Sequence, residues 1–346
     1  MNRIDLKQCT TEELGEIVKS LGEKSFRAKQ IYEWMHVKLV RSIDDMSNLS
    51  KALRERLKAD YDYTSLKEIT RQESQLDGTK KFLFGLNDKN AVESVLMPYR
   101  DWNTVCISSQ VGCNMGCRFC ASTLGGCVRN MTAAEMLDEV YIIQHEEQKR
   151  VSRVVVMGSG EPLDNYDNLV RFIKMLSDEN GLNISQRNIT VSTCGLVERI
   201  NDLAKENFGI NLALSLHAPT DEKRKKIMPI ANKYTVKETV GACREYFKAT
   251  GRQVTFEYAL CKGVNDSEDD AKELANLIEG MGAEVNLIPV NPVRERSFER
   301  PDRKGVLAFK NKLEKMRINV TIRREMGRDI DGACGQLRRR AEGGTV

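Results

Sequence analysis

The chain has 346 residues, 40% of them hydrophobic and 30% charged, with a formal net charge of +4. That length exceeds one average domain and allows a sizeable core without disulfide support. No apolar run approaches a membrane span and residues 1–7 lack the apolar stretch of a leader, so a cytoplasmic protein with no membrane association is expected. Thiols stay reduced in that compartment, which makes the ten cysteines packing residues, metal ligands or reactive groups rather than a disulfide framework.

In chain order, residues 1–60 read as short amphipathic helices. Leu14, Ile17, Val18 and Leu21 fall at helical spacing, as do Ile31, Trp34, Met35 and Leu39. Residues 79–86 and 91–97 read as two strands about the turn Asn87-Asp88-Lys89-Asn90. This part carries no catalytic signature, and 1–98 is expected as an accessory domain. From about residue 102, apolar strand-like runs at 104–107, 153–157, 188–192, 210–216, 253–259, 285–288 and 318–322 alternate with helical patterns. The helical patterns include 133–148, 169–176, 236–248 and 269–279, the first opening on Thr132-Ala133-Ala134-Glu135, the form of a capping box. The alternation predicts an α/β architecture over 99–337. Six main strands suit a partial (β/α)6 barrel with catalytic groups at the C-terminal strand ends. Between Arg294 and Arg340 stand 15 Lys or Arg against 7 Asp or Glu, so the remainder is net acidic. Such asymmetry points either to a polyanionic partner, nucleic acid above all, or to a solvated basic surface.

The strongest chemical signal is Cys113-Asn114-Met115-Gly116-Cys117-Arg118-Phe119-Cys120. It supplies three thiolates from one loop and no obvious fourth ligand, since neither His36 nor His145 stands at finger spacing. Thiolates select zinc or iron–sulfur clusters, and a structural zinc site closes with four ligands. A [4Fe-4S] cluster on three thiolates leaves one iron open. S-adenosylmethionine (SAM) can chelate that iron through its amino and carboxylate groups, and an electron then cleaves its sulfonium bond to give a 5′-deoxyadenosyl radical. A zinc-stabilised, non-enzymatic RNA-binding protein is the alternative of another class.

Three further stretches bear on the site. Met157-Gly158-Ser159-Gly160-Glu161-Pro162-Leu163 directly follows a strand. Its glycine spacing is not that of a dinucleotide fingerprint, but glycines let a backbone approach a ligand, and Glu161 can hold an ammonium group. In 210–217, alternation puts Ile210, Leu212, Leu214 and Leu216 on one face and Asn211, Ala213, Ser215 and His217 on the other. His217, at the strand end beside Ala218-Pro219, reads equally as a structural histidine or a ligand contact. Cys334 lies among small residues and charges, off any apolar stripe, as an accessible tail thiol would. Cys9, Cys127, Cys194, Cys243 and Cys261 read as packing residues, and Glu93, taken alone, as a solvent-facing strand residue.

Together these stretches resemble the RlmN-type dual-specificity RNA methyltransferases, radical SAM enzymes. The likeness rests on 106–113, the cysteine loop, Gly160-Glu161-Pro162, Ser215-Leu216-His217-Ala218-Pro219, Leu287-Ile288-Pro289-Val290-Asn291 and the tail 329–337, and it runs over nearly the whole chain. By that resemblance the fold is a partial radical SAM barrel with a small N-terminal helical domain. Cys113, Cys117 and Cys120 bind the [4Fe-4S] cluster, and Gly160, Glu161, Ser192, Ser215, Leu216, His217 and Asn291 contact SAM. Glu93 is the acid/base residue, Cys334 carries a methyl group, and Cys106 pairs with it in a transient disulfide. The implied reaction methylates carbon 2 of an adenine in the peptidyl-transferase centre of 23S rRNA, and of the adenine beside the anticodon in some tRNAs. It implies two SAM per turnover, an electron donor such as flavodoxin or ferredoxin, and a monomer. The related carbon-8 methyltransferase that confers antibiotic resistance shares these residues and stays open. Ser159 departs from the larger apolar residue that relatives often carry. The chemistry fits independently, because carbon 2 of adenine is too electron-poor to attack a sulfonium methyl group, whereas a carbon radical can add to it.

Overall fold

A computed structural model describes residues 3–290, 298–330 and 337–338. Three helices open it: α1 (Thr11–Ser20), α2 (Phe26–His36) and α3 (Lys51–Asp60). α1 starts at a capping box in which Thr10 and Glu13 exchange side-chain and backbone bonds. The residues at helical spacing are buried as expected, except that Trp34 is only partly covered, with the Lys38 ammonium 3.8 Å over its ring.

An antiparallel meander follows, β1 (Lys67–Glu73), β2 (Lys80–Gly85) and β3 (Ala91–Pro98). β1 was not anticipated from the sequence. Its residues, Lys-Glu-Ile-Thr-Arg-Gln-Glu, are mostly charged, as suits an edge strand that must not template aggregation. β4 (Asn103–Ile107) pairs antiparallel with β3, and the small hairpin β5 (Gln110–Gly112) and β6 (Cys127–Asn130) stands apart as its own sheet. Then come α4 (Ala133–Glu147), β7 (Arg153–Val156), α5 (Tyr166–Leu176), β8 (Ile189–Thr193), α6 (Val197–Lys205) and β9 (Asn211–Ser215). They are followed by α7 (Asp221–Ile227), α8 (Val236–Thr250), β10 (Val254–Leu260), α9 (Glu268–Ile278), β11 (Glu284–Pro289), α10 (Arg303–Lys315) and β12 (Asn319–Ile322).

Ten of the strands form one sheet in the order β1-β2-β3-β4-β7-β8-β9-β10-β11-β12, antiparallel as far as β4 and parallel from β4 onward. The six expected main strands are β4 and β7 to β11. The run at 318–322 supplies β12 on the far edge. This is the expected α/β partial barrel with a helical N-terminal portion, and β1 to β3 extend the same sheet. The apolar alternation of β9 holds, with Leu212, Leu214 and the flanking Ile210 and Leu216 all buried.

The concave face encloses a cavity of about 1120 Å³ whose lining is polar for a barrel lumen: Thr104, Cys106, Thr190, Asn211, Thr255, Glu257 and Asn286 point into it. Arg153 and Arg187, at the N-terminal ends of β7 and β8, line it too, as do Arg300, Arg323, Arg324 and Arg328. Residues 323–330, after β12, lie against this cavity and reach the β1–β2 turn. There Gly327 N–H donates to Asp77 (3.0 Å), and Asp329 accepts from Ser74 Oγ (2.5 Å) and Gln75 N–H (2.8 Å). The segment thus spans the gap between the two sheet edges.

The N-terminal helices are tied to the barrel by a buried ion pair. Lys7 and Asp138 of α4, both almost fully buried, meet at 2.5 Å, and Asp138 also accepts Leu66 N–H at 2.7 Å. Breaking such a pair leaves a charge without compensation. Lys7→Met is therefore expected to destabilise the fold by about 3–5 kcal/mol. Lys7→Met with Asp138→Asn should recover much of that loss, as read from urea unfolding midpoints.

Candidate active site at the mouth of the barrel

The cysteine loop runs between β5 and β6 and is held by its own backbone. Cys113 N–H donates to Gly126 carbonyl (3.0 Å), Asn114 Oδ1 accepts Cys127 N–H (2.7 Å), and Thr123 Oγ1 donates to the carbonyls of Cys117 and Cys120 (3.1 and 3.0 Å). Gly112 has φ +82, and a Cβ there would stand 2.0 Å from Gly126 carbonyl, so no side chain fits. Cys113 and Cys117 are buried and Cys120 half-buried. Burial pushes the Cys113 thiol up to about 12, and Cys117 is raised further, each also raised by its neighbours' charge. Thiolates in this loop therefore call for a bound cationic centre. Among the described residues no three His, Cys, Asp or Glu side chains converge as one metal ion demands. The charge of Cys120 raises both Cys113 and Cys117, so the three sulfurs share one electrostatic neighbourhood, as the ligands of a single cationic cluster would.

The Gly-Ser-Gly-Glu turn follows β7. Cβ atoms at Gly158 and Gly160 would lie 2.7 Å from Ile107 carbonyl and 2.6 Å from Gln110 Cβ, and Gly160 has φ +110. The close approach that demands glycine is therefore to the 107–110 backbone, whereas the sequence suggested a ligand. Glu161, 3% exposed, accepts Leu163 N–H at Oε1 (3.1 Å) and Cys194 N–H at Oε2 (2.8 Å), and its own N–H donates to Gln110 Oε1 (2.9 Å). Burial raises its pKa and these backbone bonds oppose the rise. The side chains of Thr193 and Cys194 also bond to it, so the carboxylate is already well supplied with donors.

At the next strand ends, Ser192 Oγ of β8 and Ser215 Oγ of β9 come within 3.3 Å. Leu216 is fully buried in the core. His217 has φ +58, and its Nδ1 accepts Ala259 N–H (2.9 Å), which puts the proton on Nε2. Its carbonyl accepts from Asn265 (2.6 Å), and its ring meets Phe119 of the cysteine loop edge-on at 4.8 Å. Burial, helped by Arg224, lowers its pKa to about 3, so the ring is neutral. The backbone ties favour the structural reading, and the Phe119 contact sets His217 against the cysteine loop. Asn291 lies outside the described residues, one position after the buried Val290 beyond β11.

Cys106, on β4, is buried and lines the lumen. Glu93 on β3 is buried too, whereas the sequence alone suggested a solvent-facing residue. Its carboxylate pairs with Lys81 (3.0 Å) and accepts Arg338 N–H (2.6 Å). Cys334 lies outside the described residues, but the described residues on either side are anchored at Ser74 to Asp77 and at Glu93.

Three polar residues of this region escaped sequence reasoning. Glu257 interrupts the apolar run of β10, faces the lumen, bonds Asn286 (2.9 Å) and is pushed up to about 7 by burial. A lone carboxylate within an apolar strand was the signal for it. Lys81 and Arg224 gave none, each sitting in a lysine- or charge-rich stretch that reads as surface.

The sequence profile of the Radical SAM superfamily matches residues 107–276, and that of the Ribosomal RNA large subunit methyltransferase N-terminal domain matches 4–61. The chain is 59% identical to a probable dual-specificity RNA methyltransferase RlmN of Lachnoclostridium phytofermentans, over 97% of this chain and 95% of that one. It is 60% identical to the protein of that same name in Lachnospira eligens, over 96% and 95%. A crystal structure of a radical SAM methyltransferase from Sphaerobacter thermophilus superposes with a TM-score of 0.93 at 42% identity, covering 96% of this chain and 98% of that one. Likeness at that level over almost the whole length embraces the helical N-terminus, the cysteine loop and the barrel together, and the chain belongs to the RlmN family of radical SAM RNA methyltransferases.

Proposed function

We propose that this enzyme methylates carbon 2 of adenine in 23S rRNA and in tRNA beside the anticodon, by way of a methyl group carried on Cys334. Membership of the radical SAM superfamily implies a [4Fe-4S] cluster and SAM. The finer reading is that Cys113, Cys117 and Cys120 hold the cluster, and that Gly160, Glu161, Ser192, Ser215, Leu216, His217 and Asn291 hold SAM. It further has two SAM consumed per turnover, a flavodoxin- or ferredoxin-type electron donor, and a monomeric enzyme. The observation that carries it is the anchoring of the tail on both sides of Cys334, with Arg338 N–H on Glu93 and Glu93 on the strand that pairs with the Cys106 strand. Arg300, Arg323, Arg324 and Arg328, which line the cavity after β11 and β12, support RNA binding, to which residues 1–98 would add, since phosphates favour clustered guanidinium groups.

When bound, the cluster and SAM supply an electrophilic methyl group and a hydrogen-abstracting radical. The chain's own residues do the rest. Cys334, as a thiolate, displaces the methyl from SAM and presents it to the adenine. Once a hydrogen atom has been taken from that S-methyl group its carbon bonds to carbon 2, Glu93, positioned by Lys81, takes the proton leaving carbon 2, and the one surplus electron would return to the cluster. Cys106 then attacks the Cys334 sulfur. A sulfur–sulfur bond forms, the carbon–sulfur bond breaks, and its electron pair stays on carbon, which takes a proton to become methyl.

Digestion of rRNA and tRNA from a strain lacking this enzyme should show loss of 2-methyladenosine, restored by the gene. Restoration of 8-methyladenosine instead would favour the carbon-8 reading. Replacing Cys113, Cys117 or Cys120 with Ala should abolish iron retention and 5′-deoxyadenosine release on anaerobic reduction. A full iron complement in any of the three would refute the ligand assignment. Cys106→Ala should accumulate a protein–RNA adduct that maps to Cys334 by nuclease digestion and peptide mass analysis, whereas Cys334→Ala should form neither adduct nor product. A freely turning-over Cys106→Ala enzyme would remove the two-thiol route.

A further inference from the structure

We propose that Arg224 is the counter-cation of the cysteine loop and sets how readily the cluster held there accepts an electron, a proposal that rests on Cys113, Cys117 and Cys120 being the cluster ligands. Arg224 stands on α7 and is fully buried, at 0% exposure. Its guanidinium donates to three backbone carbonyls: Nε to Leu216 (3.1 Å), and Nη2 to Cys194 (2.6 Å) and Ser215 (3.4 Å). Nη1 has no hydrogen-bond partner among the described residues. The carboxylate of Asp221, on the same helix, accepts instead from Val236 N–H at 2.6 Å.

Carbonyl bonds alone do not account for this arrangement, because neutral donors could make them. A buried charge is costly unless an opposite charge meets it, and a guanidinium does not shed its proton to escape the cost. Negative charge can reach it from sulfur and, less strongly, from Asp221. Cys194 and Cys117 are the groups whose charge most favours the protonated Arg224. Cys117 and Cys194 share one apolar cluster with Ile227 and Met228, just after Arg224. Within the loop, Arg118 N–H donates to Ile227 carbonyl at 2.8 Å. The loop and the helix that carries the guanidinium are therefore one packed unit, and thiolates in that loop would lie beside a fixed positive charge.

Reduction by the external electron donor adds one electron, and so one negative charge, to the cluster. A fixed cation beside it favours the reduced form, one of the ways by which proteins tune iron–sulfur potentials. The test is an anaerobic redox titration followed by electron paramagnetic resonance, on full-length protein with iron and sulfide quantified. Arg224→Gln and Arg224→Met remove the charge, and Arg224→Lys keeps it. The neutral variants should show at least a tenfold lower ratio of reduced to oxidised cluster at fixed poise, about 59 mV for one electron. Arg224→Lys should stay within about twofold of the parent. A cluster retained in Arg224→Lys but lost in both neutral variants, with helical content unchanged by circular dichroism, would equally support the charge requirement. Neutral variants with a full cluster and an unchanged ratio would overturn the proposal. So would an Arg224→Lys variant that falls as far as they do. Failure of the ligand assignment would look different, because a Cys113→Ala, Cys117→Ala or Cys120→Ala protein would then keep a full iron complement.

Discussion

The carboxylate of Glu161 holds three strand ends in one place. It caps the turn after β7 through Leu163 N–H and reaches β8 through Cys194 N–H, while its own N–H reaches Gln110 at the end of the β4–β5 link. Buried carboxylates survive only when backbone donors surround them, and here the donors are the amides whose positions define the mouth. The cysteine loop hangs from Gly112, two residues past Gln110, and Ser192 lies two residues before Cys194. Displacing Glu161 would disturb both the cysteine loop and Ser192. If Glu161 also holds SAM, its structural bonds orient it for that task, much as outer-shell hydrogen bonds orient metal ligands.

The site gathers because parallel strands deliver their C-terminal ends to one rim. Cys106, the Gly-Ser-Gly-Glu turn, Ser192, Ser215 and His217 are scattered over more than a hundred positions in sequence, yet each stands on or just past the end of its strand. Close packing rather than ligand approach explains the two glycines of the turn, which lie against the 107–110 backbone. Ser159 between them directs its carbonyl to the N–H groups of Ser109 and Gln110 (2.8 and 3.1 Å), a role indifferent to its side chain. A residue there can therefore vary without disturbing Glu161.

Much of this was legible in the sequence, for reasons that differ by residue. Strands with a buried and a lumen face announce themselves by alternation, as 210–217 does, and helices with a capping box announce their first turn, as Thr132 and Glu135 do. β1 was not legible because a charged edge strand has no apolar face to alternate. α7 was not legible because Asp-Glu-Lys-Arg-Lys-Lys looks wholly solvated, although Arg224 within it is buried. Glu93 illustrates the same limit. Its burial depends on Lys81, which reaches it diagonally from the neighbouring strand, two residues from the directly opposed Leu83, and composition cannot reveal such a partner. Local periodicity reports one face of one element, whereas burial of a charge is decided by what other elements bring to it.

The segment that spans the two sheet edges has a consequence for the order in which the molecule is made. Asp329 and its partner Ser74 are separated by 255 positions. A nascent chain emerging from the ribosome can fold its helices and pair its strands one after another, but the seam between β12 and β1 stays unstitched until residue 329 has been synthesised. For most of its birth the barrel is a trough open along one side, accessible to whatever delivers iron and sulfide. Only residues 323–330 turn that trough into a chamber.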